Sequence, residues 1–246
     1  MELSVTGAKH LFTIPIFGGI TITQTIVNTW IVMAVIVLGC IYLTRGLKVH
    51  PTSKRQIVAE IIVEFSTKFI TGNMGSKFTS YVPFVTSLFL LSMLSNLSSL
   101  LGMFSPTADL STEMAWALLV FVLITYHKLK ANGLGGYFKG YTEPIFVLTP
   151  FNIISEIATP ISMAFRHFGN IASGTVITTL VYGALAALSH FIIGWLPGFL
   201  GQIPIFQLGL PAFLSIYFDL FSGCLQAFIF SMLTMMYIAS AAETDE

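Results

Sequence analysis

The segment Thr25–Thr44, TIVNTWIVMAVIVLGCIYLT, carries no charged side chain, and it is the first of several such runs in a chain of 246 residues. At about 1.5 Å per residue, a helix of this length just crosses a hydrocarbon core of about 30 Å. In lipid each backbone N–H and C=O must be satisfied internally, so such runs fold as helices. Composition points the same way: 55% of residues are hydrophobic, 9% are charged, and the formal net charge is zero. A soluble domain carries about 25% charged residues, so a water-soluble enzyme is excluded. Disorder needs low hydrophobicity and high net charge. A nucleic-acid partner would demand a basic excess that is absent here. The expected fold class is all-α, a polytopic membrane protein forming a single membrane domain over residues 1–246. Cys40 and Cys224 are flanked by apolar residues and suggest no disulfide framework.

The spans differ in kind. Residues 1–24 form an expected outside N-terminal segment, and 25–44 an upright first span. The opening residues lack the basic n-region of a signal peptide, so insertion is expected to rely on the internal spans. Residues 52–71 alternate Ile57, Val58, Ile61, Ile62, Phe65 and Phe69 with Lys54, Arg55, Glu60, Glu64 and Lys68, which reads as an amphipathic interfacial helix. Residues 81–126 read as a helical hairpin turning at Ser105–Asp109, with Ser111 or Thr112 as the expected N-cap of its second helix and Glu113 as an acid in its first turn. Gly133, Gly135, Gly136 and Gly140 suggest a flexible loop after it. Residues 150–191 and 204–242 are too long to stand upright in a bilayer, so they are expected to tilt steeply. Gly194, Pro197, Gly198 and Gly201 separate them.

The few cations are unevenly placed. Arg45, Lys48, Lys54, Arg55, Lys68 and Lys77 lie between the first two crossings, and Lys128, Lys130 and Lys139 follow the third. Lys9 alone precedes the first crossing. Basic loops stay in the cytoplasm, so the N-terminus is expected outside and the C-terminus inside.

Arg166 is the remaining cation, and it lies within an apolar run. With about 100 degrees per residue, Ser155, Thr159, Ser162, Asn170 and Ser173 fall within about 40 degrees of it on a helical wheel. An arginine at mid-bilayer costs about 2.5 to 3.5 kcal/mol on insertion scales, so it needs a partner, water or an ion path. Its guanidinium does not deprotonate, so it holds a fixed charge and relays no proton itself. The competing reading is a structural arginine paired inside the protein, with Asp219 as a partner; Glu156 is too far along the helix. Asp219 is the sole acid between Glu156 and Glu243 and shares a helix face with Gln226. A lone membrane carboxylate whose pKa is raised by desolvation takes up and releases protons; the competing reading is a neutral, hydrogen-bonded Asp. Gln226 reads equally as interhelical glue. His167, about 100 degrees from Arg166, is a weaker candidate, and so is His190. His10, His50 and His127 are expected to be solvated. No residues have metal-ligand spacing, no cofactor is implied, and Asn96-Leu97-Ser98 is a sequon inside a span, without meaning there.

The segment Pro160–Asn170, PISMAFRHFGN, resembles the signature of subunit a of the rotary F-type ATP synthases: an arginine, an apolar residue, then Phe-Gly-Asn. Leu225–Phe230, LQAFIF, resembles the second signature of that family. The likeness extends to Pro150–Glu156, to Asn28-Thr29-Trp30 and to the basic segment before Glu60, covering essentially the whole chain. It implies a non-catalytic stator of the membrane sector. Its partners are a ring of c subunits, a peripheral stalk of subunit b, the remaining F1Fo subunits and the lipid bilayer, with no nucleic acid. Two half-channels reach the ring from opposite sides, and a bacterial plasma-membrane location is expected. By the match, Arg166 is the family's arginine between the half-channels, while Glu156, Asn170, Asp219 and Gln226 join the ion path. Ser162, His167, Ser173 and Thr175 are secondary candidates. The chain departs from the pattern in three places. His167 stands where an apolar residue is usual, Thr175 where Glu is common, and Asp219 where relatives carry His or an acid. The rival from another class is a stand-alone ion-coupled secondary transporter, which would show internal repeats and broken helices; no repeat is evident.

Overall fold

A computed structural model describes residues 7–15, 19–49, 53–143, 145–193, 206, 213–214 and 216–243. The first element is one the sequence reading did not anticipate. Strands β1 (His10–Ile14) and β2 (Ile20–Thr23) pair antiparallel ahead of the first helix. The Gln24 amide donates to the Lys9 carbonyl at 2.9 Å, tying this hairpin to the helix start. The rest is helical: α1 (Gln24–Thr44), α2 (Lys54–Met74), α3 (Val82–Leu97), α4 (Leu110–Gly140), α5 (Thr149–Ile193) and α6 (Gly223–Ala241). A π-helical stretch, Ile216–Ser222, leads into α6. Among the described residues, five helical segments are long and apolar enough to cross a membrane, with α2 not among them. The protein is thus an all-α polytopic membrane protein bearing one small hairpin.

The core lies where α3, α4, α5 and α6 meet. Val85 and Leu88 of α3 pack with Ala117, Val120 and Ile124 of α4, with Met163 and Ala164 of α5, and with Phe230, Met235 and Ile238 of α6. Residues 117, 120 and 124 recur at helical spacing, so α4 turns one stripe inward. In lipid the tails are as apolar as leucine, so packing and interhelical hydrogen bonds hold such helices together. Small residues permit the close approach. A side chain on Gly223 would bring its Cβ to 3.1 Å from Asn96 Cβ, and one on Gly174 would meet Phe218 Cδ1 at 3.1 Å. Helix α1 stands at the periphery and buries Thr25, Asn28 and Val32. Thr25 donates to Asp109 Oδ2 at 2.8 Å and Asn28 to the Phe104 carbonyl at 2.7 Å, so α1 hangs on the α3–α4 turn.

Three local expectations are corrected. The N-cap of α4 is Asp109, whose carboxylate accepts from the Ser111 amide at 3.0 Å; a residue two positions earlier than Ser111 reaches the first free N–H groups. The glycines after His127 do not form a loop. Helix α4 continues to Gly140, interrupted only at Gly133, whose φ of +67 degrees needs a residue without Cβ. The last long segment is not uniformly α-helical, because the π-helical stretch Ile216–Ser222 precedes α6. The separator glycines and Pro197, most of 204–215 and Ser215 lie outside the described residues.

Candidate ion-translocation site

Helix α5 runs 45 residues, from Thr149 to Ile193, with Pro160 inside it. Its serine–arginine stripe is not buried by the bundle. Ser155, Ser162, Arg166 and Ser173 are exposed, and Thr159 and Asn170 are half-exposed. The small hydroxyls on this face satisfy themselves locally: Thr159 donates to the Ser155 carbonyl at 2.9 Å and Ser173 to the Asn170 carbonyl at 3.1 Å. Arg166 makes no ion pair or hydrogen bond among the described residues. The structural-pair reading, in which Asp219 neutralises the arginine, therefore finds no support there.

Two cavities with ionisable groups in their walls lie toward opposite ends of the bundle. The first, about 610 Å³, opens beside the α3–α4 turn; its walls include Asn96, Ser105, Asn170, Thr175 and Asp219. The second, about 430 Å³, is lined by Lys128 and Tyr137 of α4, Tyr141 just beyond it, Asn152 and Glu156 of α5, and Glu243 after α6. Asp219 and Glu243 bracket α6, and on α5 the nearest lining residues of the two cavities are about 16 Å apart. Thr159 lines the second cavity and Asn170 the first. Arg166 lies between them on the same helix.

The π-helical stretch places Asp219 at the first cavity. Such wide turns are rare and concentrate at functional sites. Gly174 makes room for it by letting Phe218 lie against α5. Ser222, at its end, donates to Asn170 Oδ1 at 2.7 Å, linking α6 to the arginine helix. Thr175 is exposed, and its hydroxyl returns to the Ile171 carbonyl at 3.0 Å. Gln226 is buried on α6.

In the second cavity Glu156 accepts from Lys128 Nζ at 3.1 Å and from the Tyr137 hydroxyl at 3.2 Å, and Tyr141 donates to Tyr137 at 2.6 Å. Burial first, and next the hydrogen bonding of the Glu156 carboxylate, push the Tyr141 phenol well above its ordinary value. The phenol stays protonated and serves as a donor.

The sequence has counterparts among known proteins. Residues 26–239 match the family described as ATP synthase A chain. The chain belongs to that family. It is 34% identical over 221 residues to ATP synthase subunit a of Desulforamulus reducens, covering 89% of this chain and 79% of the relative. To ATP synthase subunit a 1 of Crocosphaera subtropica it is 36% identical over 229 residues, covering 92% and 90%. To the sodium ion specific ATP synthase subunit a of Propionigenium modestum it is 32% identical over 236 residues, covering 89% and 74%. The protein is accordingly a multi-pass, non-catalytic, ion-translocating stator subunit of the membrane sector, working with the c-ring and the other F1Fo subunits. A stand-alone secondary transporter is not favoured.

For such a subunit a, the structure brings Asn170, Thr175 and Asp219 to one cavity, and Glu156 with Ser155 and Thr159 to the other. Arg166, Ser162 and Ser173 share the open face between and beside them. His167 is not on that face. It is fully buried, with its Nδ1 2.9 Å from Glu113 Oε2. Sequence reasoning passed over Glu113, treating it as a first-turn acid. Yet Glu113, Ala117, Val120 and Ile124 follow i, i+4, i+7, i+11, so the inward stripe of α4 already contained it. Asn96, set aside as an idle sequon, is buried and donates to the Gly223 carbonyl at 2.7 Å. Lys128, taken only as a marker of helix exit, is the ion-pair partner of Glu156. His127 is not simply solvated, since its Nε2 lies 2.6 Å from the Tyr81 hydroxyl.

Proposed function

We propose that the two cavities are the outer and inner half-channels of this stator, and that Arg166 is the charge separating them. The N-terminus faces outside, the C-terminus faces the cytoplasm, and the membrane is a bacterial plasma membrane. The two long helices lie steeply tilted against the c-ring, and α2 lies at the interface. The observation that carries this reading is the exposed, unpartnered guanidinium on the α5 face between cavities at opposite ends of the bundle. The clustering of basic residues in the segments before α3 and in the last turns of α4, from Lys128 to Lys139, supports the orientation.

Protons, or sodium ions, enter the outer cavity past Asp219, Asn170 and Thr175, and neutralise a carboxylate on the ring. The neutral carboxylate tolerates lipid and travels around with the ring. On return it meets Arg166, whose fixed charge favours the ionised form, and the ion leaves through the inner cavity past Glu156, Lys128 and the two tyrosines. The same fixed charge opposes direct passage of a cation from one cavity to the other. The membrane potential supplies about 2.3 kcal/mol per charge per 100 mV, which the ring carries to the catalytic sector.

The test is Arg166→Ala in inverted membrane vesicles carrying the whole complex. ATP-driven ion pumping is expected to vanish while the complex remains assembled. Pumping at the unmodified rate would overturn the assignment.

A further inference from the structure

Arg166 has no side-chain partner among the described residues, so whatever sets its position acts through the backbone of α5. The next residue supplies an anchor. His167 is fully buried and is touched from three helices. From α3, the Asn96 amide lies 3.3 Å from Nε2. From α4, Glu113 Oε2 lies 2.9 Å from Nδ1, and the Trp116 ring stands 6.4 Å away between centroids. From α6, the Phe230 ring stands 5.6 Å away. The other buried side chains of this part of α5, Met163 and Ala164, are apolar and make contacts that have no direction.

The polar contacts are built to hold one geometry. Asn96 spends its amide on His167 and on the Gly223 carbonyl, and its Oδ1 accepts from Thr107. Thr107 in turn meets Ser105, whose hydroxyl donates to the Ser95 carbonyl at 2.7 Å. Glu113 Oε2 and His167 Nδ1 stand in close contact at 2.9 Å, outside hydrogen-bonding alignment, so burial and packing hold the two groups against each other. Both side chains of the pair are 0% exposed. Burying a carboxylate and an imidazole is costly unless they hold each other, and an apolar pair would pack more cheaply. The proposed role of Arg166 offers a reason to keep them.

We propose that Glu113 and His167 are positioning residues: together they clamp the rotation and depth of α5, so that Arg166 faces the ring between the two cavities. The inference rests on the assignment of Arg166 above. About 100 degrees of helix separates the two side chains. Holding the imidazole inward therefore holds the guanidinium outward, and a small turn of α5 carries Arg166 away from its station.

The experiment uses the whole complex in inverted vesicles, with three readouts: the amount of assembled complex, ATP-driven pumping, and passive ion leak. Arg166→Ala runs alongside. Glu113→Leu with His167→Leu keeps the volume apolar and removes the directional clamp. It is expected to assemble, to pump about fivefold or more slowly, and to leak more, because apolar packing replaces buried ion pairs without fixing one geometry. In the Arg166→Ala background the same pair of changes should add no further leak. If the double leucine variant does not assemble, Glu113→Asp decides. It keeps the carboxyl group and shortens the reach by one methylene, so pumping should fall at least severalfold, since a misplacement of about 1 Å costs up to about a hundredfold in catalytic constellations. Normal pumping and leak in whichever variant decides overturns the proposal while Arg166→Ala is inactive. Normal pumping by Arg166→Ala itself would instead overturn the site assignment beneath it.

Discussion

The two cavities differ in how their charge is held. The one beside the α3–α4 turn has a single carboxylate in its wall, Asp219, among amides, hydroxyls and apolar groups. The one at the other end has a paired acid, Glu156 with Lys128, backed by two tyrosines and by Glu243. A carboxylate with no second acid beside it among the described residues has no substitute as a proton carrier, whereas a cavity with two acids, Glu156 and Glu243, has one. The first cavity should therefore be fragile and the second tolerant.

The strongest way to break this comparison is Asp219→Asn. An amide has no proton to exchange, so pumping should fall about tenfold or more with assembly unchanged. A smaller loss there than at Glu156 would reverse the contrast. Gly174→Val acts on the same cavity from its α5 wall without touching an ionisable group. With only 3.1 Å available to Phe218, the added side chain must push the π-helical stretch and Asp219 with it. Overpacking of this kind costs about 1 to 3 kcal/mol, and pumping assays should read a loss of severalfold. Glu156→Gln tests the tolerant end. The amide still accepts from Lys128 and Tyr137, so pumping should drop only about threefold, since one weakened charge-assisted bond is at stake. Loss of all pumping would show that the second cavity, too, depends on one carboxylate. The smallest effect belongs to Asp109→Ala, which removes the α4 N-cap and the bond to Thr25. It should cost about 1 kcal/mol, read as a lowered unfolding temperature of the purified complex with pumping nearly intact. A large pumping defect would tie the α3–α4 turn to the first cavity more closely than its hydrogen bonds suggest.

Much of the site was legible in the sequence, for a physical reason. In an apolar run a charged or amide side chain is rare enough to announce itself, so Arg166, Asp219 and Gln226 stood out without any structure. Helical spacing alone put Ser155, Thr159, Ser162, Asn170 and Ser173 on the arginine's face. The misses came where a polar residue had an ordinary local explanation. Glu113 passed as a favourable first-turn acid and Lys128 as a cation marking a helix end. Asn96 was set aside as part of a sequon within a span. Each explanation is local, and none registers what lies across the bundle.

Sequence by itself determined the class, the presence of several apolar helices, and the stripe that carries Arg166. These follow from lipid, which forces backbone polar groups to pair within each helix, and from the fixed period of that helix. Tertiary structure alone decided which partners meet. It brought Glu113 to His167 across α4 and α5, drew Lys128 to Glu156, and hollowed two cavities at opposite ends of one helix bundle. It also decided the π-helical turn at Asp219, which depends on the space that Gly174 leaves on a neighbouring helix. Contacts between distant segments depend on how helices approach one another, and no local period encodes that.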